Sequence, residues 1–225
     1  MKAAHCYLIL YNLVQFIGWS VVLAKTVLSV WWRKSSSHVF EDVSRELLFF
    51  QTLALLEVVH CLCGFVRSPV STTFIQVMSR CTIIWPVTWK VSSAHTSSGV
   101  LIYVMAWSVT EVVRYSYYAS SLLNFIPYFL QWARYTFFIA LYPLGVLGEM
   151  LTVCAALPDV RTKRIFYISL PNPANISFNY YYALNVFLLL YFPLFPQLYF
   201  YMFAQRRKII GGEKSGVARK TEKAE

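Results

Sequence analysis

Tyr142 and Glu149 stand seven residues apart in "RYTFFIALYPLGVLGEMLTV". Seven helical steps return to nearly the same face about 10.5 Å along the axis. A phenol and a carboxyl would then look out from one side. Pro143, Gly145 and Gly148 lie between them. The proline removes one backbone hydrogen bond and kinks the helix, and the glycines let a neighbouring helix or an acyl chain come close to the backbone. A phenol and a carboxyl so placed form an acid–base pair, the equipment for moving two protons in an elimination. The bland alternative is an interfacial tyrosine, because the chain holds 16 of them and tyrosine collects at membrane surfaces.

A second stretch, His60–Ser68 or "HCLCGFVRS", spells the His-Cys, five residues, Arg, Ser loop of cysteine-based phosphatases. That chemistry needs a helix N-terminus directly after the cysteine, whose N–H groups cradle the phosphate and activate the thiol. Here Cys61 follows the apolar run "LLFFQTLALLEVV", and the next helix start is signalled only at Pro69, beyond Arg67. A thiol in apolar surroundings is inert. "WPV" at 85–87 also lacks the aspartate that such an enzyme uses as its acid. The sequence excludes a working phosphatase.

The elements that must position these residues are membrane helices. Of 225 residues, 58% are hydrophobic and only 13% charged, against about 25% charged in soluble domains; the mean hydropathy is +0.52. Apolar runs of about 20 residues match a hydrocarbon core of about 30 Å. Six spans are expected, at 7–32, 47–66, 70–89, 99–119, 135–157 and 180–203, giving an all-α, polytopic bundle of six transmembrane helices. The segment "SSLLNFIPYFLQWARY" lies at the interface or begins the fifth helix early. Residues 1–205 form the membrane catalytic domain, and 206–225, a basic tail without apolar periodicity, is expected to be disordered on the cytosolic membrane surface. Eleven Lys and Arg fall on the N-terminal side of the membrane and seven on the other, which places both termini in the cytosol.

Ionisable residues inside spans carry the second layer of information, since each costs at least about 2.5–3.5 kcal/mol at mid-bilayer. Glu57, Arg80, Glu111, Arg114 and Glu149 therefore need a polar interior. Glu111 and Arg114 are three apart and can pair on one helix face; Arg80, with Gln76 four residues before it, would pair with Glu57 or meet an anionic ligand. Cys61 and Cys63 lack the three-residue step of a zinc pair, and the four histidines are scattered. No metal, cofactor or nucleic-acid partner is expected.

Several segments together, "YLILYNLVQFIGW", "LEVVHCLCGFVRSPVSTTFIQVMSR", "WSVTEVVRYSYYA", "RYTFFIALYPLGVLGE" and "NYYYALNVFLLLYFPLFPQLYFYMFAQRRK", resemble the very-long-chain (3R)-3-hydroxyacyl-CoA dehydratases, or protein-tyrosine-phosphatase-like A proteins. Arg67–Pro69 resembles the plant, PASTICCINO-type branch. The resemblance implies a lyase of the endoplasmic-reticulum membrane that converts 3-hydroxyacyl-CoA to trans-2-enoyl-CoA in the third step of very-long-chain fatty-acid elongation. It implies Tyr142 and Glu149 as catalytic residues and Gln76, Arg80, Glu111, Arg114 and Gly145 as the supporting polar shell. Its implied partners are the acyl-CoA substrate, membrane lipid and the other elongation enzymes: the condensing enzyme, the 3-ketoacyl-CoA reductase and the enoyl-CoA reductase. Which of Tyr142 and Glu149 is acid and which base stays open. The alternative is a catalytically silent scaffold or pseudophosphatase that binds elongation enzymes or phosphoproteins; the intact Tyr–Glu pair weighs against it.

Overall fold

The computed structural model describes residues 2–173 and 175–211. The chain is all-α apart from one two-residue antiparallel pairing. Helix α1 runs Lys2–Arg33, and α2 (Val39–Leu53) and α3 (Leu55–Leu62) form one column broken at Ala54. At the break α1 bonds two carbonyls, each at 3.3 Å: Tyr11 donates to that of Leu53, and Gln15 to that of Phe50, which also accepts from the Ala54 N–H. This explains polar residues in the first apolar run. Helix α3 stops at Gly64, whose φ of +70° is a left-handed conformation that glycine adopts without strain.

After Pro69, α4 (Val70–Thr82) passes into a π-helical stretch, Ile83–Trp89. Pro86 lies inside this stretch, and its missing N–H breaks the α-helical ladder; Thr88 Oγ1 donates to the Ile83 carbonyl at 2.8 Å. A short α5 (Ser92–His95) leads to α6 (Ser98–Leu122), capped by the Ser97 hydroxyl on the Gly99 N–H. Then come α7 (Tyr128–Arg134), α8 (Phe138–Thr162), strands β1 (Tyr167–Ile168) and β2 (Phe178–Asn179), and α9 (Tyr180–Arg206), which ends in a π-helical turn at Arg207–Gly211. The remainder of the basic tail, 212–225, lies outside the described residues.

Helix α6 is the axis of the molecule, packed on α1 on one side and α8 on the other. Trp19 and Val22 of α1, Val100, Tyr103, Val104 and Trp107 of α6, and Val153 and Ala156 of α8 build one core with α2 and the π-helical stretch. The α6–α8 crossing is tight because it is lined by glycine. A Cβ on Gly148 would stand 2.5 Å from the Tyr103 nitrogen and 2.7 Å from the Gly99 carbonyl oxygen, both backbone atoms that cannot turn aside. Gly148→Ala is expected to push the helices apart and lower the melting temperature in detergent, with overpacking costing about 1–3 kcal/mol. At Gly145 an added Cβ would make only ordinary contacts, 3.7 Å from the Trp107 indole. Gly145→Ala should therefore melt at or above wild type; equal losses in the two variants would contradict this account.

Three helical stretches among the described residues are long and apolar enough to cross a membrane: Ala3–Arg33, Tyr128–Thr162 and Tyr180–Ile210. The six expected spans reduce to these three by that measure. The other expected segments, 47–66, 70–89 and 99–119, are helical as well. Each gives up apolar positions to inward polar groups: Gln51 and His60, Thr88, and Ser108 and Glu111 are all buried. The segment before the fifth span forms the short helix α7, set off from α8 by a turn at 135–137, within one apolar stretch, Tyr128–Thr162.

Candidate active site

Helix α8 presents Tyr142 and Glu149 as their spacing requires, but different neighbours hold each. Glu149 is 8% exposed, and both its oxygens accept hydrogen bonds. Trp107 Nε1 on α6 donates to Oε1 at 2.9 Å, and the Tyr191 hydroxyl on α9 donates to Oε2 at 2.5 Å. The Tyr142 ring is half-buried in a parallel stack with Phe195 and Tyr199 of α9, at centroid distances of 5.2 and 6.1 Å. Its hydroxyl has no hydrogen bond among the described residues.

Pro143 accounts for part of this arrangement. A proline at that position cannot donate to the Ile139 carbonyl one turn earlier, and the Tyr199 hydroxyl donates to that carbonyl at 3.0 Å. The kink residue thus leaves an acceptor that anchors the ring stacked on Tyr142. Gly145, between the pair, faces the Trp107 indole.

Next to the pair lies a buried chain of charges. Arg80 on α4 hydrogen-bonds Glu111 on α6, which is 1% exposed. Arg114 Nε lies 2.9 Å from the second oxygen of Glu111, an ion contact without hydrogen-bond alignment. Arg114 Nη2 donates to Glu57 Oε1 at 2.5 Å, and the Tyr115 hydroxyl donates to that same oxygen. The expected Glu111–Arg114 pair is present. The expected partner of Arg80 is corrected: it is Glu111, and Glu57 belongs to Arg114. Residues three apart on one helix are neighbours by geometry, whereas cross-helix pairing depends on how the helices are rotated. Arg80 also links the chain of charges to the site, its guanidinium 5.1 Å above the Trp107 ring.

Of the candidate residues, the structure brings together Tyr142, Gly145, Glu149, Arg80, Glu111 and Arg114. Gln76 stands apart: it is exposed and its side chain hydrogen-bonds nothing among the described residues. Sequence reasoning missed Trp107, Tyr191, Phe195 and Tyr199. A signal existed, since Tyr103, Trp107, Glu111 and Tyr115 follow a four-residue step, as do Tyr191, Phe195 and Tyr199. Such stripes read first as ordinary packing faces.

Cys61 lies in the last turn of α3, with its sulfur 3.7 Å from Thr73 Oγ1. The Phe65 and Val66 N–H groups turn back onto the His60 carbonyl, and α4 starts only at Val70. No helix N-terminus follows the cysteine, so the phosphate cradle is not formed.

The family model described as "Protein tyrosine phosphatase-like protein, PTPLA" matches residues 51–212. The human protein named very-long-chain (3R)-3-hydroxyacyl-CoA dehydratase 2 is 50% identical over 92% of this chain and 82% of its own length. The Caenorhabditis elegans dehydratase hpo-8 is 49% identical over 92% of this chain and 95% of its own. The rice dehydratase PASTICCINO 2A is 38% identical over 93% and 95%. No solved structure matches the chain. Over the whole chain these animal proteins are nearer than the rice one, so the comparisons support the family and not the plant branch suggested by Arg67–Pro69. Three residues in an exposed helix connection carry little against a match over the whole chain.

Proposed function

The chain belongs to the protein tyrosine phosphatase-like (PTPLA) family, and from that premise we propose that it is a very-long-chain (3R)-3-hydroxyacyl-CoA dehydratase, a hydro-lyase working through Tyr142 and Glu149. Relatives of that name at 50% and 49% identity support the activity. The observation that carries the residue assignment is the contrast on α8: a carboxyl oriented by two donors, and on the same helix face a phenol with no hydrogen-bond partner.

Loss of water from a 3-hydroxyacyl thioester needs a proton taken from the carbon beside the thioester and a proton given to the departing hydroxyl. Glu149 is the base. Each of its oxygens accepts one hydrogen bond and keeps a second lone pair for the incoming proton. Tyr142 is the acid, its O–H being free to donate to the substrate hydroxyl. The C–H electron pair becomes the new double bond as the C–O bond breaks, giving trans-2-enoyl-CoA and water. Glu149 then holds the proton taken from the substrate carbon, Tyr142 lacks the one it gave to the departing water, and one transfer from Glu149 to Tyr142 resets the site. Arg80 has five N–H donors, and those not engaged by Glu111 polarise the thioester carbonyl, where negative charge builds as the proton leaves.

The wider setting follows from the same premise. The chain spans the endoplasmic-reticulum membrane six times with both termini cytosolic. It acts in the third step of fatty-acid elongation beside the condensing enzyme and the two reductases. The test is dehydration of a very-long-chain (3R)-3-hydroxyacyl-CoA by purified protein in detergent, followed by the enoyl product. Wild type and Cys61→Ser should turn over equally, since the thiol at the end of α3 takes no part. An inactive wild type that still captures elongation enzymes would favour a scaffold instead.

A further inference from the structure

We propose that Tyr191 is a positioning residue for the reaction: its hydroxyl and the Trp107 indole N–H clamp the Glu149 carboxyl from opposite helices and hold it where it meets the substrate proton. The inference rests on the dehydratase reading and adds α9 to the site. The clamp is direct, with Tyr191 on Oε2 at 2.5 Å and Trp107 on Oε1 at 2.9 Å. A glutamate side chain with one donor could still rotate about its terminal torsion, which is broad. Donors on both oxygens, from α6 and α9, remove that freedom. Near-attack geometry is demanding enough that a misplacement of about 1 Å costs about 100-fold in rate.

Each donor is itself held. The Tyr191 ring packs edge-on against Phe187 one turn earlier, at 5.2 Å and 89°. The Trp107 indole lies 4.7 Å from the Tyr103 ring and beneath the Arg80 guanidinium. A purely structural role, fastening α9 to α8, would be the bland explanation of Tyr191. That fastening is already provided by the Tyr199 hydroxyl on the Ile139 carbonyl and by the Tyr142–Phe195–Tyr199 stack. Bonding the only carboxyl of α8 that lies buried in the core is not needed for it.

The experiment is steady-state dehydration by purified Tyr191→Phe, which deletes the hydroxyl and keeps the ring, with melting in the same detergent. A lost hydrogen bond to an ionisable group predicts that kcat falls by about 10- to 100-fold, with KM within about twofold and melting unchanged. Adding Tyr191→Phe to Glu149→Gln should cost nothing further, because both act through one carboxyl. Wild-type kcat in Tyr191→Phe would overturn the inference. So would a loss of activity that tracks a lower melting temperature, or a full extra loss in the double variant. An inactive wild type would overturn the dehydratase reading and this inference with it, whereas an active wild type matched by Tyr191→Phe would overturn the inference alone.

Discussion

Glu149→Gln, purified in detergent and assayed with a 3-hydroxyacyl-CoA, is expected to lose turnover by about 100- to 10,000-fold, the usual worth of a positioned acid or base. The amide matches the carboxyl in size, and its oxygen can still accept from Trp107 or Tyr191, so the fold should hold. The amide nitrogen cannot accept at all, and the side chain has no basic oxygen to take the substrate proton. Tyr142→Phe should fall in the same range. It keeps the ring stacked on Phe195 and Tyr199 and removes only the hydroxyl, which no other described residue uses. The two losses should not add, because the proton taken and the proton given belong to one elimination and neither residue works alone. Full turnover in Tyr142→Phe would remove the phenol from the mechanism.

The second large effect concerns folding. Glu111→Gln leaves Arg80 and Arg114 without the carboxylate that sits between them. Glu111 is 1% exposed, and breaking a buried ion pair by removing one partner costs about 3–5 kcal/mol. That is a large part of the margin of about 5–15 kcal/mol by which folded proteins exceed their unfolded states. Arg114 retains Glu57 and the Tyr115 hydroxyl, so the stranded charge is chiefly that of Arg80. Adding Arg80→Leu to Glu111→Leu should therefore recover part of the melting temperature lost in Glu111→Leu alone. If the double variant melted lower than the single one, the network would not be the source of the loss.

The two predictions separate chemistry from architecture, although Arg80 belongs to both. Its guanidinium bonds Glu111 on one side and covers the Trp107 ring on the other. The buried charges thus adjoin the Trp107 indole, whose N–H bonds Glu149. Their cost of burial is offset within the chain of alternating signs, so an unpaired charge need not be carried into the membrane.

Residue spacing is enough to establish what lies along one helix. The period of 3.6 residues puts Tyr142 and Glu149 on one face and Glu111 beside Arg114, whatever else the chain does. Gly64 and Pro69 mark the end of α3 and the start of α4, and this alone denies Cys61 a phosphatase loop. Apolar runs gave an expectation of six spans, of which three fall within helical stretches long and apolar enough to cross a membrane; run length could not rank the columns whose polar residues turn inward. The tertiary structure decided every relation between helices. Arg80 meets Glu111 instead of Glu57; Trp107 and Tyr191, far from Glu149 in the chain, share its carboxyl; and Tyr199 takes the carbonyl that Pro143 leaves open. Such pairings depend on the rotation and crossing of packed helices; for α6 and α8 the crossing is set by the close approach of Gly99 and Gly148. Spacing along one chain cannot express an angle between two helices.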